Sequence, residues 1–285
     1  KRYLPLAILA VLVVSVQLLT HWTGTPYYLT QLTMAAYYSV VIIGLCLLMG
    51  YAGQISLGHA GFFAIGGYMS AMLTTHNLIA YQDQGWVALL DKIGFLVASE
   101  DLYGGALLAF EPWVAALVAV LLAMVIAFIV GIPILKLKGH YLAMGTLGFG
   151  IIVYRVFLAT EIFGEADGIS EVPGFTLVPG VTVTGSFGAR ISNYYIAWGM
   201  LLIAMALLLN LINSRVGRAL RAIHGAEDAA NAMGIDTARY KLKTFVLSAV
   251  LAAVAGVFLT HYNGGIGPSE AGVMKSVRYV SIVAV

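Results

Sequence analysis

Of the 285 residues, 61% are hydrophobic and only 10% are charged, with a formal net charge of +2. Soluble domains carry about 45–50% apolar and about 25% charged residues, so lipid rather than water is the natural solvent of this chain. The small net charge and the lack of a basic run interleaved with aromatics exclude nucleic-acid binding, and a lone cysteine, Cys46, excludes a disulfide framework or a cysteine-rich metal site.

Apolar stretches of the length a bilayer requires, about 20 residues at 1.5 Å each, occur at roughly 4–20, 29–50, 59–76, 112–135, 140–160, 193–213 and 242–262, and another starts near 276. Open strands leave backbone groups unpaired in lipid, so each stretch is expected to be a helix. The fold class expected is therefore all-α, a polytopic transmembrane helical bundle forming a single domain over 1–285. The first stretch follows Lys1 and Arg2 as a secretory signal would, but no small-residue cleavage motif follows at His21–Trp22, and it reads as a retained span. No initiator Met precedes it and the last apolar run is still open at Val285, so the chain is expected to be an internal portion of a longer protein.

Charge distribution sets the expected orientation. If Lys1 faces the cytoplasm and every stretch crosses once, Lys1, Arg2, Lys136, Lys138, Arg215, Arg218, Arg221, Arg239, Lys241 and Lys243 lie inside, ten of the fifteen basic residues. Asp83, Asp91, Glu100, Asp101, Glu111, Glu161, Glu165, Asp167, Glu171 and Glu270 then lie outside, ten of the thirteen acidic ones. That asymmetry obeys the positive-inside rule, and shifting any one span mixes the two sets.

The stretch from Gly50 to Tyr68, GYAGQISLGHAGFFAIGGY, joins two apolar segments and sets Gln54, Ser56 and His59 among Gly50, Gly53, Gly58, Gly61, Gly66 and Gly67. Glycine permits close helix packing, and it also permits a broken or re-entrant segment, which survives at membrane depth only inside protein or against a wet cavity. Both readings stand; the second makes Gln54, Ser56, Gly58, His59 and Gly61 candidates for lining a path. A second cluster, Gly139 to Gly150, opens the 140–160 span and adds Tyr141 and Thr146 to the candidates.

Two connections on the outer side are long. Residues 77–111 place Trp86, Leu89, Leu90, Ile93, Leu96 and Val97 at helical spacing, which predicts a short amphipathic helix on the outer membrane surface. Residues 161–192 are rich in Gly, Pro, Thr and Val, with turns expected at Pro173–Gly174 and Pro179–Gly180 and short strands or a hairpin between them. Arg155 is a full charge inside a span, near its outer end. It reads either as snorkelling to the surface or as facing the path or Glu161.

The inner connection 214–243 alternates two basic segments with Glu227, Asp228, Ala229, Ala230 and Gly234. This is a compact helix-turn-helix with small residues at helical spacing, shaped for another protein to grip or serving as a mere polar connector. Phosphate-loop, H-E-x-x-H and Cys/His metal patterns are absent, and Ser56 with His59 lacks an orienting partner for hydrolysis.

Taken together, Gly50–Tyr68, the run LKGHYLAMGTLGFG from Leu137 to Gly150, and Ser214–Gly234 followed by Lys241, Phe245, Ala255 and Gly256 resemble the LivM-type permeases of branched-chain amino acid ABC importers. Asp228-Ala229-Ala230 with Gly234 matches the E-A-A-x-x-x-G coupling motif of ABC permeases, with Asp for Glu. The resemblance implies a non-catalytic subunit in a bacterial or archaeal plasma membrane, its N-terminal end cytoplasmic. A homologous second permease would complete a path for branched-chain or other neutral amino acids. Two cytoplasmic ATPase subunits, holding the ATP and magnesium that this chain does not, would grip Glu227, Asp228, Ala229, Ala230 and Gly234. An extracytoplasmic binding protein would deliver substrate, with Glu161, Glu165, Asp167 and Glu171 as its candidate docking residues. A urea or short-chain amide permease shares the same motifs. An ATPase-independent secondary transporter or channel is the alternative of another class, disfavoured because the spans show no evident acidic residue.

Overall fold

The computed structural model describes residues 3–82, 84–100, 105–178 and 180–284. Lys1, Arg2, Asp83, Asp101, Pro179 and Val285 lie outside them, as do the side chains of Trp86 and Glu100. The chain opens with α1 (Leu4–Trp22), α2 (Tyr27–Cys46, extended by a π turn over Leu47–Tyr51) and α3 (His59–Thr75). Then come α4 (Gly85–Ile93), the strands β1 (Leu96–Glu100) and β2 (Ala106–Phe110), α5 (Pro112–Ile134) and α6 (His140–Ala159). Three short strands, β3 (Ile169–Ser170), β4 (Phe175–Val178) and β5 (Val181–Val183), precede α7 (Arg190–Ile212), α8 (Arg215–Gly225) and α9 (Glu227–Ala232). The chain closes with α10 (Thr237–Asn263), β6 (Gly265–Ile266) and α11 (Val273–Ala284).

Among the described residues, six helices are long and apolar enough to cross a membrane: α1, α2 with its π turn, α5, α6, α7 with the turn before it, and α10. The Tyr3 hydroxyl donates to Asn210 Oδ1 late in α7 (2.6 Å), Lys138 approaches Asp228 of α9 (3.8 Å), and the His224 ring donates to the Gly50 carbonyl (2.9 Å). These contacts collect the start of α1, the end of α2, the α5–α6 turn and α8–α9 at one end of the bundle, the basic end. At the opposite, acidic end, Trp113 Nε1 donates to the Thr176 carbonyl (2.9 Å), tying the start of α5 to β4.

The remaining apolar stretch, 59–76, forms α3, a 17-residue helix buried along most of its length. It is the centre of the bundle rather than a lipid-facing span. Residues 53–58 before it are not helical, with Gly53 left-handed (φ 65°), so an irregular segment leads from the basic end into the bundle and α3 starts part-way up. Glycine makes its fit against α10 possible: a Cβ on Gly66 would overlap the Ala253 backbone, and one on Gly256 would overlap the Phe63 carbonyl. Such backbone-to-backbone approach gains van der Waals contact where lipid supplies no hydrophobic drive. On α5 the buried positions Ala115, Ala119, Ala123, Ala127 and Gly131 recur every four residues and lay a small-residue stripe inward, leaving Leu117, Leu121 and Phe128 exposed.

Two expectations are corrected. Helix α4 ends at Ile93 because Gly94 takes a left-handed conformation (φ 82°), and Leu96 and Val97 belong instead to β1, paired antiparallel with β2 from Leu96↔Phe110 to Glu100↔Ala106. Leu78, Val87, Leu96 and Leu108 form a small core of their own, so the segment 77–111 is a folded helix-and-hairpin cap, not one surface helix. The second correction concerns Glu270, counted above with the outer carboxylates: it bonds Tyr38 half-way along α2. The fold is thus an all-α bundle whose sheets, among the described residues, are three two-stranded ribbons at the acidic end, β1–β2, β3–β6 and β4–β5.

Candidate functional site

Where the irregular segment 53–58 turns into α3, polar side chains knit three helices together. Ser56 Oγ lies 3.0 Å from His59 Nδ1, and His59 Nε2 lies 2.7 Å from Ser248 Oγ of α10. A neutral imidazole donates through one nitrogen and accepts through the other, and hydroxyls satisfy both roles. The Leu57 amide donates to Thr146 Oγ1 of α6 (2.9 Å), and a Cβ on Gly58 would come within 2.6 Å of the Thr146 carbonyl. Gly61 packs beside Phe149 and Gly150. Ser56, Gly58, His59, Gly61 and Thr146 are therefore brought together, all buried, as a joint between α3, α6 and α10. Gln54 is 2% exposed and neither polar atom of its carboxamide has a partner among the described residues. Tyr141 stands apart, exposed on the first turn of α6.

A second joint lies beside the first. After β6 the chain turns back into the bundle through 267–272, and Ser276 Oγ of α11 accepts from the Ala60 amide of α3 (3.3 Å). Lys275 Nζ donates to both oxygens of Glu270 (2.9 and 3.0 Å) and to the Tyr38 hydroxyl (2.9 Å), and lies 4.6 Å from the centre of the Tyr38 ring. Tyr38 is about 17 Å along the axis of α2 from Tyr27, close to the middle of a span. The side chains of Glu270 and Lys275 keep 20% and 25% of their surface exposed. The Tyr279 ring lies 6.1 Å from that of Tyr38, and the buried hydroxyls of Tyr279 and Tyr68 have no partner among the described residues.

At the basic end α8 and α9 form the helix pair expected of 214–243. Ser214 caps α8 by accepting from the Val216 amide (3.1 Å), and its apolar face buries Ala219, Leu220 and Ile223. Glu227 at the start of α9 pairs with Lys241 of α10, and Thr237 Oγ1 bonds Asn231 Oδ1 (3.0 Å). Ala230 is buried against this base, whereas Asp228, Ala229, Met233 and Gly234 face outward. Gly234 has φ 84°, the left-handed turn that lets the chain pass from α9 into α10.

At the acidic end Glu161, Glu165, Asp167 and Glu171 are all exposed. Glu165 (φ 47°) and Glu171 (φ 62°) hold left-handed backbone, and β3 pairs with β6, which fixes this loop onto the end of α10. Arg190 lies 5.1 Å from the Phe187 ring, and none of the four carboxylates forms an ion pair among the described residues.

The sequence reading missed Tyr38, Glu270, Lys275 and Ser248. One available signal was the glycine-rich run from Gly264 to Gly272, which has the same texture as Gly50–Gly61 and likewise precedes a helix that begins inside the bundle.

The profile of the family described as branched-chain amino acid transport system / permease component matches residues 27–285. The high-affinity branched-chain amino acid transport system permease protein LivM of Escherichia coli K12 is 29% identical over 271 residues, covering 88% of this chain and 56% of its own length. LivH of the same organism is 29% identical over 255 residues, covering 85% and 73%. A probable LivM of Methanocaldococcus jannaschii is 28% identical over 240 residues, covering 79% and 65%. The chain thus spans little more than half the length of the Escherichia coli LivM. No solved structure matches it.

Proposed function

Because this chain belongs to the branched-chain amino acid transport permease family, we propose that it is the membrane-spanning permease subunit of an ATP-driven importer for branched-chain or other neutral amino acids. It sits in a bacterial or archaeal plasma membrane with its basic end and the start of α1 in the cytoplasm, as the positive-inside rule requires. A homologous second permease completes the path, two ATPase subunits dock on α8–α9, and a binding protein docks on the acidic end.

The observation that carries this reading is the mounting of α9. Its outer face, with Asp228, Ala229, Met233 and Gly234, is exposed, while Glu227 and Asn231 fasten its other side to Lys241 and Thr237 in the first two turns of α10. Helix α10 then runs unbroken through the core to Ser248, at the His59 joint, and to His261, whose ring bonds Ser70 of α3 (2.8 Å) and the Pro173 carbonyl (2.7 Å). A partner that pushes on α9 therefore moves the rod on which α3 packs, and the gap between two permeases changes at the far side of the membrane. This chain carries no phosphate loop, so hydrolysis belongs to the partners.

The test is ATP-driven leucine uptake into proteoliposomes by this chain assembled with a second permease and two ATPases. Uptake that stops when the phosphate-loop lysine of the ATPases is replaced supports the reading. Uptake that persists without the ATPases makes the chain a secondary transporter or channel instead.

A further inference from the structure

An ion pair in the middle of a membrane is costly, because neither charge regains from protein what it loses from water unless partners surround it. Glu270 and Lys275 are held at that depth against Tyr38, between α2, α3 and α11, and yet they are not sealed: both side chains remain reachable. Tyr68 and Tyr279 are buried, 0% and 2% exposed, and their hydroxyls have no hydrogen-bond partner among the described residues. Met274 and Arg278 of the same helix are exposed, so this face of α11 is turned to the outside of the subunit, and a cation at membrane depth belongs against protein or water rather than lipid.

We propose that Tyr38, Glu270 and Lys275 form a binding site for the α-ammonium and α-carboxylate of a free amino acid on its way through the membrane. The proposal deepens the permease reading above and rests on it. A zwitterion carries both charges on groups attached to one carbon, so the matching surface must offer an anion and a cation side by side. Lys275 Nζ and Glu270, 2.9–3.0 Å apart, do so. In the empty site each neutralises the other. On binding, the ligand ammonium takes the place of Lys275 on Glu270, and the ligand carboxylate takes the place of Glu270 on Lys275, with the Tyr38 hydroxyl bonded to both. Net charge in the site is zero before and after, so no isolated ion is left at membrane depth. A ligand with only one of the two charges leaves either Glu270 or Lys275 uncompensated, and urea offers neither charge.

The test uses the assembled importer in nanodiscs, without binding protein, and measures displacement of radiolabelled leucine by leucine, leucinamide and 4-methylpentanoate. In the wild type, leucine is expected to compete about tenfold or more better than either analogue, the scale of one charge-assisted hydrogen bond. Lys275→Gln should bring leucine down to the level of the amide, and Glu270→Gln down to the level of the acid. A purely structural pair would shift all three probes together, and that result overturns the proposal. Wild-type ATP-driven uptake of leucine and of urea is measured in parallel. Leucine uptake with no change of selectivity in the variants sinks this site alone, whereas urea uptake without leucine uptake sinks the amino acid reading and the site with it.

Discussion

His59 is held by two hydroxyls and carries no exposed surface through which to reach a solute, so its first role is to lock α3 to α10. Ser248→Ala leaves His59 Nε2 unpaired in a buried setting and is expected to cost about 1–3 kcal/mol, read as a lowered unfolding midpoint of the purified subunit. Replacing Ser248 by Thr, which keeps the hydroxyl, should lose less. Gln54 is a different case, since a buried carboxamide with no partner is rare unless another conformation supplies one. In a Cys46→Ser background, Gln54→Cys should resist water-soluble thiol reagents in the resting complex and react when ATP is bound. Modification in the resting complex as fast as at an exposed control at the acidic end, Phe187→Cys, would contradict its burial.

Among the elements, α9 depends most on a single backbone position. Gly234 has open space around it, so a side chain there meets no neighbour, and the difficulty is φ 84° itself, which costs an L-residue about 1–2 kcal/mol. Gly234→Val should therefore leave membrane insertion and the ATPase turnover intact while uptake per ATP falls several-fold; unchanged coupling would show that the α9–α10 turn transmits nothing. Gly256 is the converse, a position where space and not φ is limiting. Gly256→Leu would drive a side chain into the Phe63 backbone and is expected to abolish the monodisperse protein in size-exclusion chromatography, as overpacking at a helix crossing does. The helix pair 214–243 was legible as a unit because its small residues at helical spacing, its flanking basic segments and Gly234 are local features. The hairpin in 77–111 was not, because Leu96 and Val97 continue the helical spacing and only the turn at Gly94 and pairing with β2 override it.

For the whole molecule, the acidic end carries Glu161, Glu165, Asp167 and Glu171 on a loop tied to α10 through β3–β6. A basic partner would be steered to it over a Debye length of about 8 Å at physiological ionic strength. Neutralising all four should slow binding-protein-stimulated ATP hydrolysis and flatten its dependence on salt; an unchanged salt response would leave the acidic residues a topological role only. Composition and apolar lengths alone determined that this chain lives in lipid as a helical bundle, and the spread of charge determined which connections share an end. Those are sums over local stretches, and lipid enforces them residue by residue. Only the tertiary structure decided that α3 is the sheathed centre and that Glu270 meets Lys275 and Tyr38 at membrane depth. Depth depends on where an irregular segment turns back into the bundle, and that is set by glycine-permitted backbone contacts between α3, α6 and α10, which no local pattern records.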